Sequence, residues 1–126
     1  YPLNNLGTLT ISNGTIEGRG IYNQDGAKLT INGATVKALD WNGGACVWSY
    51  GTGEVYLNNA TMIGNTGVVS SEGYLEINGG TFKAGQGFNS GGMIYVEANN
   101  ASTVTINGGD EAASEKAMQE FFKANL

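Results

Sequence analysis

Histidine is absent from this 126-residue chain, and proline, cysteine and arginine occur once each, as Pro2, Cys46 and Arg19. Without histidine the chain has no Ser-His-Asp or Cys-His catalytic group and no imidazole ligand for zinc. A lone cysteine cannot form an internal disulfide. Cys46 lies in the apolar run from Ala45 to Trp48, which predicts a small buried side chain. These absences exclude most hydrolase mechanisms and histidine-based metal sites.

Charge is also scarce. Charged residues make up 13% of the chain, and six basic against eleven acidic residues give a net charge of −5. Such a balance provides no basic surface for nucleic acid or for an anionic membrane. No run of about 18 apolar residues is present, and no charged segment followed by an apolar one opens the chain. We therefore expect neither nucleic acid nor a membrane as a partner, and neither a metal nor a cofactor.

Glycine is abundant, with 21 residues, and 40% of the chain is hydrophobic. That composition favours an ordered chain over disorder, which requires high charge and few apolar groups. Four segments align without a gap: 9–16, 29–36, 55–62 and 75–82. A fifth copy begins at Val104. Their anchor residues Ile11, Ile31, Leu57, Ile77 and Ile106 lie 20, 26, 20 and 29 residues apart. A constant motif with variable spacers is typical of stacked coils.

Each copy opens with an apolar-polar-apolar triplet, as in Leu9-Thr10-Ile11, which has the period-2 alternation of a strand with one buried face. After the triplet comes Ser12 or, in the other copies, asparagine, and then a residue that tolerates positive φ, so a corner is expected there. Asparagines stacked at this corner can hydrogen-bond to one another. A second strand starts at the next threonine. A third follows at segments 20–22, 45–48, 67–69 and 93–96, which gives three short strands per coil.

The copies LTISNGTI, LTINGATV and LEINGGTF resemble the coil motif of right-handed parallel β-helix proteins, the pectate-lyase-like group of secreted bacterial proteins and phage tail and capsid-surface proteins. The resemblance covers roughly residues 6–110. It implies an all-β fold, a short right-handed parallel β-helix (solenoid) of about five coils, in a domain of residues 1–110. The right hand follows from the resemblance and from the general chirality of parallel crossovers.

Residues 111–126 lack the repeat and have apolar residues at helical spacing, among them Met118, Phe121 and Phe122. This pattern predicts one amphipathic α-helix. A solenoid needs terminal caps, so we expect the helix to cover the C-terminal end of the core. The alternative is that the helix docks into another chain.

Two long spacers, in the second and fourth coils, each carry an aromatic-asparagine pair before glycine. Because insertions in a solenoid lie on one edge, Trp41 and Phe88 are expected on the same side, about 10 Å apart. The two aromatic rings would form the walls of a notch that could bind a sugar. The alternative is that both rings fold over the coil edge or form a subunit contact. The residues proposed for glycan binding or an interface are Asp40, Trp41, Asn42, Gln86, Phe88 and Asn89.

Catalytic residues are not predicted. Glu54 and Glu76 could face the same side on adjacent coils, which is a glycosidase arrangement, but exposed glutamates on a solenoid are usually solvated. No lyase or galacturonase motif surrounds the aspartates.

The sequence therefore favours a non-enzymatic structural or adhesive module, displayed on a phage virion or bacterial cell surface, with weak glycan binding and assembly as a homo-oligomer or within a larger structure. The alternative is a fragment of a secreted carbohydrate-processing enzyme, either a polysaccharide lyase or a glycoside hydrolase.

Overall fold

The computed structural model describes residues 3–38, 45–64, 66–70, 73–83, 94–96 and 103–107. These segments form β-strands joined by short turns, and no helix occurs within them. In chain order the strands are β1 (Leu3–Asn5), β2 (Thr8–Ser12), β3 (Thr15–Gly18), β4 (Ile21–Asn23), β5 (Lys28–Asn32), β6 (Thr35–Ala38), β7 (Ala45–Ser49), β8 (Glu54–Ile63), β9 (Thr66–Ser70), β10 (Tyr74–Lys83), β11 (Ile94–Val96) and β12 (Thr103–Asn107).

All pairings between these strands are parallel, and they form two sheets. Sheet A has the order β1-β4-β7-β9-β11. Sheet B has the order β2-β5-β8-β10-β12, and β3 and β6 extend it beside the second half of β8. The chain forms a strand of sheet A and then a strand of sheet B, and repeats this order five times. We call each such pass a circuit, and the strands of each circuit pair with those of the one before it. The all-β fold with parallel sheets agrees with the prediction from the repeat.

The apolar triplets lie in register across sheet B. Ile11 is paired with Ile31, Ile31 with Leu57, Leu57 with Ile77, and Ile77 with Ile106. Equivalent residues therefore form a column that runs from the first circuit to the fifth, as the alignment of the copies predicts.

One hydrophobic core lies between the two sheets. Sheet A contributes the buried residues Ile21, Val47, Val68 and Ile94. The second half of sheet B, which consists of β3, β6 and the parts of β8 and β10 after the corner, contributes the buried residues Val36, Met62 and Phe82. The residues that follow Thr35, Thr61 and Thr81 are thus apolar and inward. In the first and fifth circuits, Leu9, Ile11, Ile16 and Ile106 are only partly buried. Among the described strands, each of them has a neighbouring circuit on one side.

The corner after each triplet uses the left-handed backbone region. Asn13, Gly33, Asn59 and Gly79 occupy equivalent positions and have φ values of 64°, 67°, 54° and 71°. Glycine and asparagine are the residues that adopt this conformation at least cost. In contrast to the predicted separate strands, β8 and β10 continue through the corner, because Gly80 pairs with Ala60 directly after it.

A ladder of asparagine side chains runs along this corner. Asn58 donates to Oδ1 of Asn32 at 2.8 Å, Asn78 donates to Oδ1 of Asn58 at 2.8 Å, and Asn107 donates to Oδ1 of Asn78 at 3.0 Å. The predicted stacking of asparagines is confirmed for these circuits. Such side-chain bonds fix the register because they form only when equivalent residues are adjacent.

A second polar column, which was not predicted from the sequence, is buried at the end of the sheet A strands. Asn5 donates to Oδ1 of Asn23 at 2.9 Å, and Asn23 donates to Oγ of Ser49 at 3.2 Å and to the carbonyl of Glu54 at 3.0 Å. Asn23 is completely buried. Buried amides are stable only when they are hydrogen-bonded, and these bonds tie sheet A to the start of sheet B. The predicted C-terminal helix, with Met118, Phe121 and Phe122, lies outside the described residues.

Candidate functional site

The predicted aromatic notch lies outside the described residues, as do all of Asp40, Trp41, Asn42, Gln86, Phe88 and Asn89. The strands on either side of the two loops are described. One loop joins β6 to β7 and the other joins β10 to β11, so both connect the second half of sheet B to sheet A. The notch itself stays a prediction.

The outer face of sheet B carries a closed network of tyrosine and glutamate side chains. The Tyr56 hydroxyl donates to Glu54 at 2.6 Å, and the Tyr74 hydroxyl donates to Glu76 at 2.7 Å. The two tyrosine rings lie 5.6 Å apart between centroids, and Lys28 Nζ lies 5.0 Å from the Tyr56 ring centroid. Because β8 lies between β5 and β10, the Tyr56 ring has Lys28 on one side and Tyr74 on the other. The Tyr56 ring is therefore held between its neighbours in the sheet.

This network changes the pKa values of Tyr56 and Glu76. The hydrogen bond to Glu54, followed by burial and the nearby negative charges, raises the pKa of Tyr56 to about 12. The hydrogen bonds donated by Asn78 and Tyr74 lower the pKa of Glu76. Glu76 is therefore ionised at neutral pH and serves as a hydrogen-bond acceptor.

Glu54 and Glu76 do face the same side of adjacent circuits. In register, Glu54 is opposite Tyr74 and Glu76 is opposite Tyr56, so the two glutamates are diagonal neighbours. Strand spacing and rise place their Cα atoms about 8 Å apart. Glycoside hydrolysis needs one carboxylic acid with a raised pKa that can protonate the leaving group. The shift at Glu76 has the opposite sign, which argues against that role for it.

The outer face of sheet A carries an aromatic patch, formed by Tyr22, Trp48 and Tyr50. The rings of Trp48 and Tyr50 are nearly parallel, 14° apart, with 5.9 Å between centroids. Tyr22 meets Tyr50 edge-on at 89° and 5.8 Å. All three side chains are partly buried, and burial together with the neighbouring Tyr22 raises the pKa of Tyr50. The patch is thus an ordered aromatic surface at the start of the corner that leads to sheet B.

The patch was missed in the sequence because its residues are not repeated. Trp48 is two residues before Tyr50 and is opposite Tyr22 in register. Because successive side chains of a strand point to opposite faces, an inward Val47 places Trp48 on the outer face of the sheet. This alternation was the one signal in the sequence that could have located the patch.

Cys46 is buried, as predicted. Its Sγ lies 3.3 Å from the carbonyl oxygen of Ile63 and 3.4 Å from that of Val36. Burial raises the pKa of the thiol to about 11, so it is protonated and unreactive at neutral pH.

Within the described ranges, no group of three or more acidic or cysteine side chains could hold a metal ion, and no helix is long and apolar enough to cross a membrane. No protein-family model matches the chain, and no curated protein or solved structure is significantly similar to it. The resemblance to β-helix proteins therefore rests on the repeated residues.

Proposed function

We propose that the chain is a right-handed parallel β-helix that acts as a rigid, non-enzymatic module on the outside of a virion or a bacterial cell, with glycan binding as its adhesive activity. The observation that carries the proposal is the in-register column from Ile11 to Ile106, with equivalent side chains stacked at every circuit. A stack of this kind gives a stiff body with regular outer faces, which suits support and display.

Several features support the helical part of this proposal. The chain returns to sheet A once in every circuit and always moves to the next position in the sheet. Parallel crossovers of this type are almost always right-handed. A C-terminal helix over residues 111–126 would cover the partly buried Ile106 with Met118, Phe121 and Phe122.

The non-enzymatic part is supported by the side chains that are present. The chain has no histidine, the Cys46 thiol is buried and protonated, and the pKa of Glu76 is lowered. A polysaccharide assay tests it: the purified chain is incubated with acidic and neutral polysaccharides, with and without Ca²⁺, and new reducing ends are counted. We expect no product. Product that increases with protein concentration and is lost in Glu54→Gln would establish the enzyme alternative.

Assembly is the third part of the proposal. Leu6 is 78% exposed, and the neighbouring Leu9, Ile11 and Ile16 are partly buried. An apolar surface at this end supports contact with another subunit in a homo-oligomer or a larger assembly. Light scattering over a range of concentrations is expected to give a mass above that of one chain.

Display is tested by immunogold labelling with antibodies against the chain. Intact virions and unpermeabilised cells of the source should be labelled on their surface. Label that appears only after permeabilisation, on cells and on no virion, would refute the proposed location.

A further inference from the structure

The aromatic patch of Tyr22, Trp48 and Tyr50 differs from the tyrosine network on sheet B in what its polar atoms contact. The hydroxyls of Tyr56 and Tyr74 are both bonded to glutamates. In the part of the chain that the structure describes, no side chain hydrogen-bonds to the hydroxyls of Tyr22 and Tyr50 or to the indole nitrogen of Trp48. Among the described residues, these three polar atoms have no hydrogen-bond partner.

Amide side chains lie next to the patch. Asn4 is opposite Tyr22 in register, and Gln24 donates to Oδ1 of Asn4 at 2.5 Å. This bond uses one hydrogen of Gln24, and no described residue bonds to its second N–H, to its carbonyl oxygen or to the amide N–H groups of Asn4. Aromatic faces bordered by amides offer both stacking and hydrogen bonds.

The described outward side chains of sheet A next to the patch are uncharged. In register across β1, β4 and β7 they are Asn4, Tyr22 and Trp48. None of these residues carries a charge. The nearest carboxylate in sequence, Asp25, accepts hydrogen bonds from the backbone N–H and hydroxyl of Thr52, at 2.8 and 2.9 Å. An uncharged surface matches an uncharged ligand, because a charged one would lose hydration without gaining a partner.

From these observations we infer that the aromatic patch is a binding site for a neutral pyranose sugar, which stacks its apolar C–H face on the Trp48 ring, while Tyr50 and Tyr22 hold that ring in place. The hydroxyl groups at the edge of the sugar would bond to the tyrosine hydroxyls, the indole N–H and the amides of Asn4 and Gln24. This inference rests on the glycan-binding part of the proposed function and places it on sheet A, apart from the predicted notch at Trp41 and Phe88.

The test is binding of the purified chain to neutral polysaccharides, glucans and galactans, measured by co-sedimentation, and to methyl β-glucoside and methyl β-galactoside by saturation-transfer NMR. A shallow site of three rings predicts weak monosaccharide binding, with a dissociation constant of roughly 1 mM, and tighter binding of the polymers. Trp48→Ala should weaken binding about tenfold or more, and Trp48→Phe, which keeps a ring, should retain most of it.

Two further variants locate the site. Tyr56→Phe, which alters a tyrosine on sheet B, is the matched control and should bind sugar as the unaltered chain does. Trp41→Ala tests the predicted notch as the competing site. Far-UV circular dichroism and thermal unfolding of each variant check that the fold is intact.

The outcomes separate the site from the proposed function. If Trp41→Ala abolishes binding and Trp48→Ala does not, the glycan function stands and the site on sheet A is wrong. Binding of acidic polysaccharides alone contradicts the neutral ligand class. No binding of any glycan rejects both the site and the adhesive activity, while labelling of the virion or cell surface still tests display. If Trp48→Ala instead dissociates an oligomer and leaves sugar binding unchanged, the patch is a subunit contact.

Discussion

The side-chain amide of Asn58 donates a 2.8 Å hydrogen bond to Oδ1 of Asn32, although 26 residues separate the two along the chain. The backbones around them are bonded as well, since the Gly33 N–H donates to the Asn58 carbonyl at 2.9 Å. The spacer between these circuits is longer than the one that follows, yet the register is unchanged. Variable spacers are therefore accommodated outside the column.

Replacing Asn58 with alanine tests the asparagine ladder. The change removes a donor to Asn32 and an acceptor for Asn78, both partly buried. We expect a loss of roughly 1–3 kcal/mol in the free energy of unfolding, measured by urea denaturation. Asn107→Ala is the control, because it removes one exposed bond at the end of the ladder. It should cost less than about 1 kcal/mol, and equal losses in the two variants would show that the ladder has no special role.

Gly80 and Gly14 occupy equivalent positions in the fourth and first circuits and provide a matched pair. Both have positive φ, 108° and 82°. A Cβ on Gly80 would lie 2.3 Å from the carbonyl oxygen of Ala60, whereas nothing lies within 4 Å of one on Gly14. Gly14→Ala should therefore cost only backbone strain, roughly 1–2 kcal/mol. Gly80→Ala should cost about 1–3 kcal/mol more, measured by denaturant unfolding, and a smaller loss than that of Gly14→Ala would contradict the packing of the fourth circuit on the third.

Stability at acid pH should depend on Asp25. The hydrogen bonds from Thr52, first its backbone N–H and then its hydroxyl, lower the pKa of Asp25 below its ordinary value of 3.8. A lowered folded-state pKa contributes stability above the unfolded pKa, and that contribution is lost as the pH falls through the folded one. The stability difference between the unaltered chain and Asp25→Asn should thus be constant at pH 5–7 and shrink below about pH 4. Thermal melts across this range provide the measurement, and a difference that does not change with pH would exclude the contribution.

Tyr56 should ionise at a higher pH than an ordinary tyrosine. Its pKa is raised to about 12 from 10.0, with the hydrogen bond to Glu54 as the largest cause. The raised value stabilises the fold below the unfolded pKa, and this contribution disappears as the pH rises through the folded one. Absorbance or NMR titration of Glu54→Gln should show the pKa of Tyr56 falling toward 10. No change on substitution would mean that the bond to Glu54 is not formed in solution.

The strand pairing followed from the sequence because its determinants are repeated. The triplets around Ile31, Leu57 and Ile77 have the same alternation, so an alignment of the copies is also an alignment of the strands. The asparagine ladder followed in the same way. In each case the repeated residue is the one that contacts its own equivalent.

Features without a repeated residue were missed. The strand β1 has no triplet, and it is joined to β4 by the bond from Asn5 to Asn23, an in-register asparagine pair that is not continued in β7, where Ser49 takes the equivalent position. The aromatic patch depends on the contact of Tyr22 with Tyr50, and no other copy has this pair. Such contacts are set by the twist and spacing of particular circuits, which periodicity does not encode.

Detection of hydrogen-bond couplings by NMR tests the stacked register most directly. With uniform ¹⁵N and ¹³C labelling, scalar couplings should connect the amide nitrogen of Gly33 with the carbonyl of Asn58, that of Thr35 with Gly14, and that of Thr61 with Ala34, pairs that are 2.9, 2.9 and 3.0 Å apart. Observation of all three supports parallel circuits in register. Couplings shifted by even one residue, or a pattern of antiparallel partners, would contradict the stack and the display function built on it.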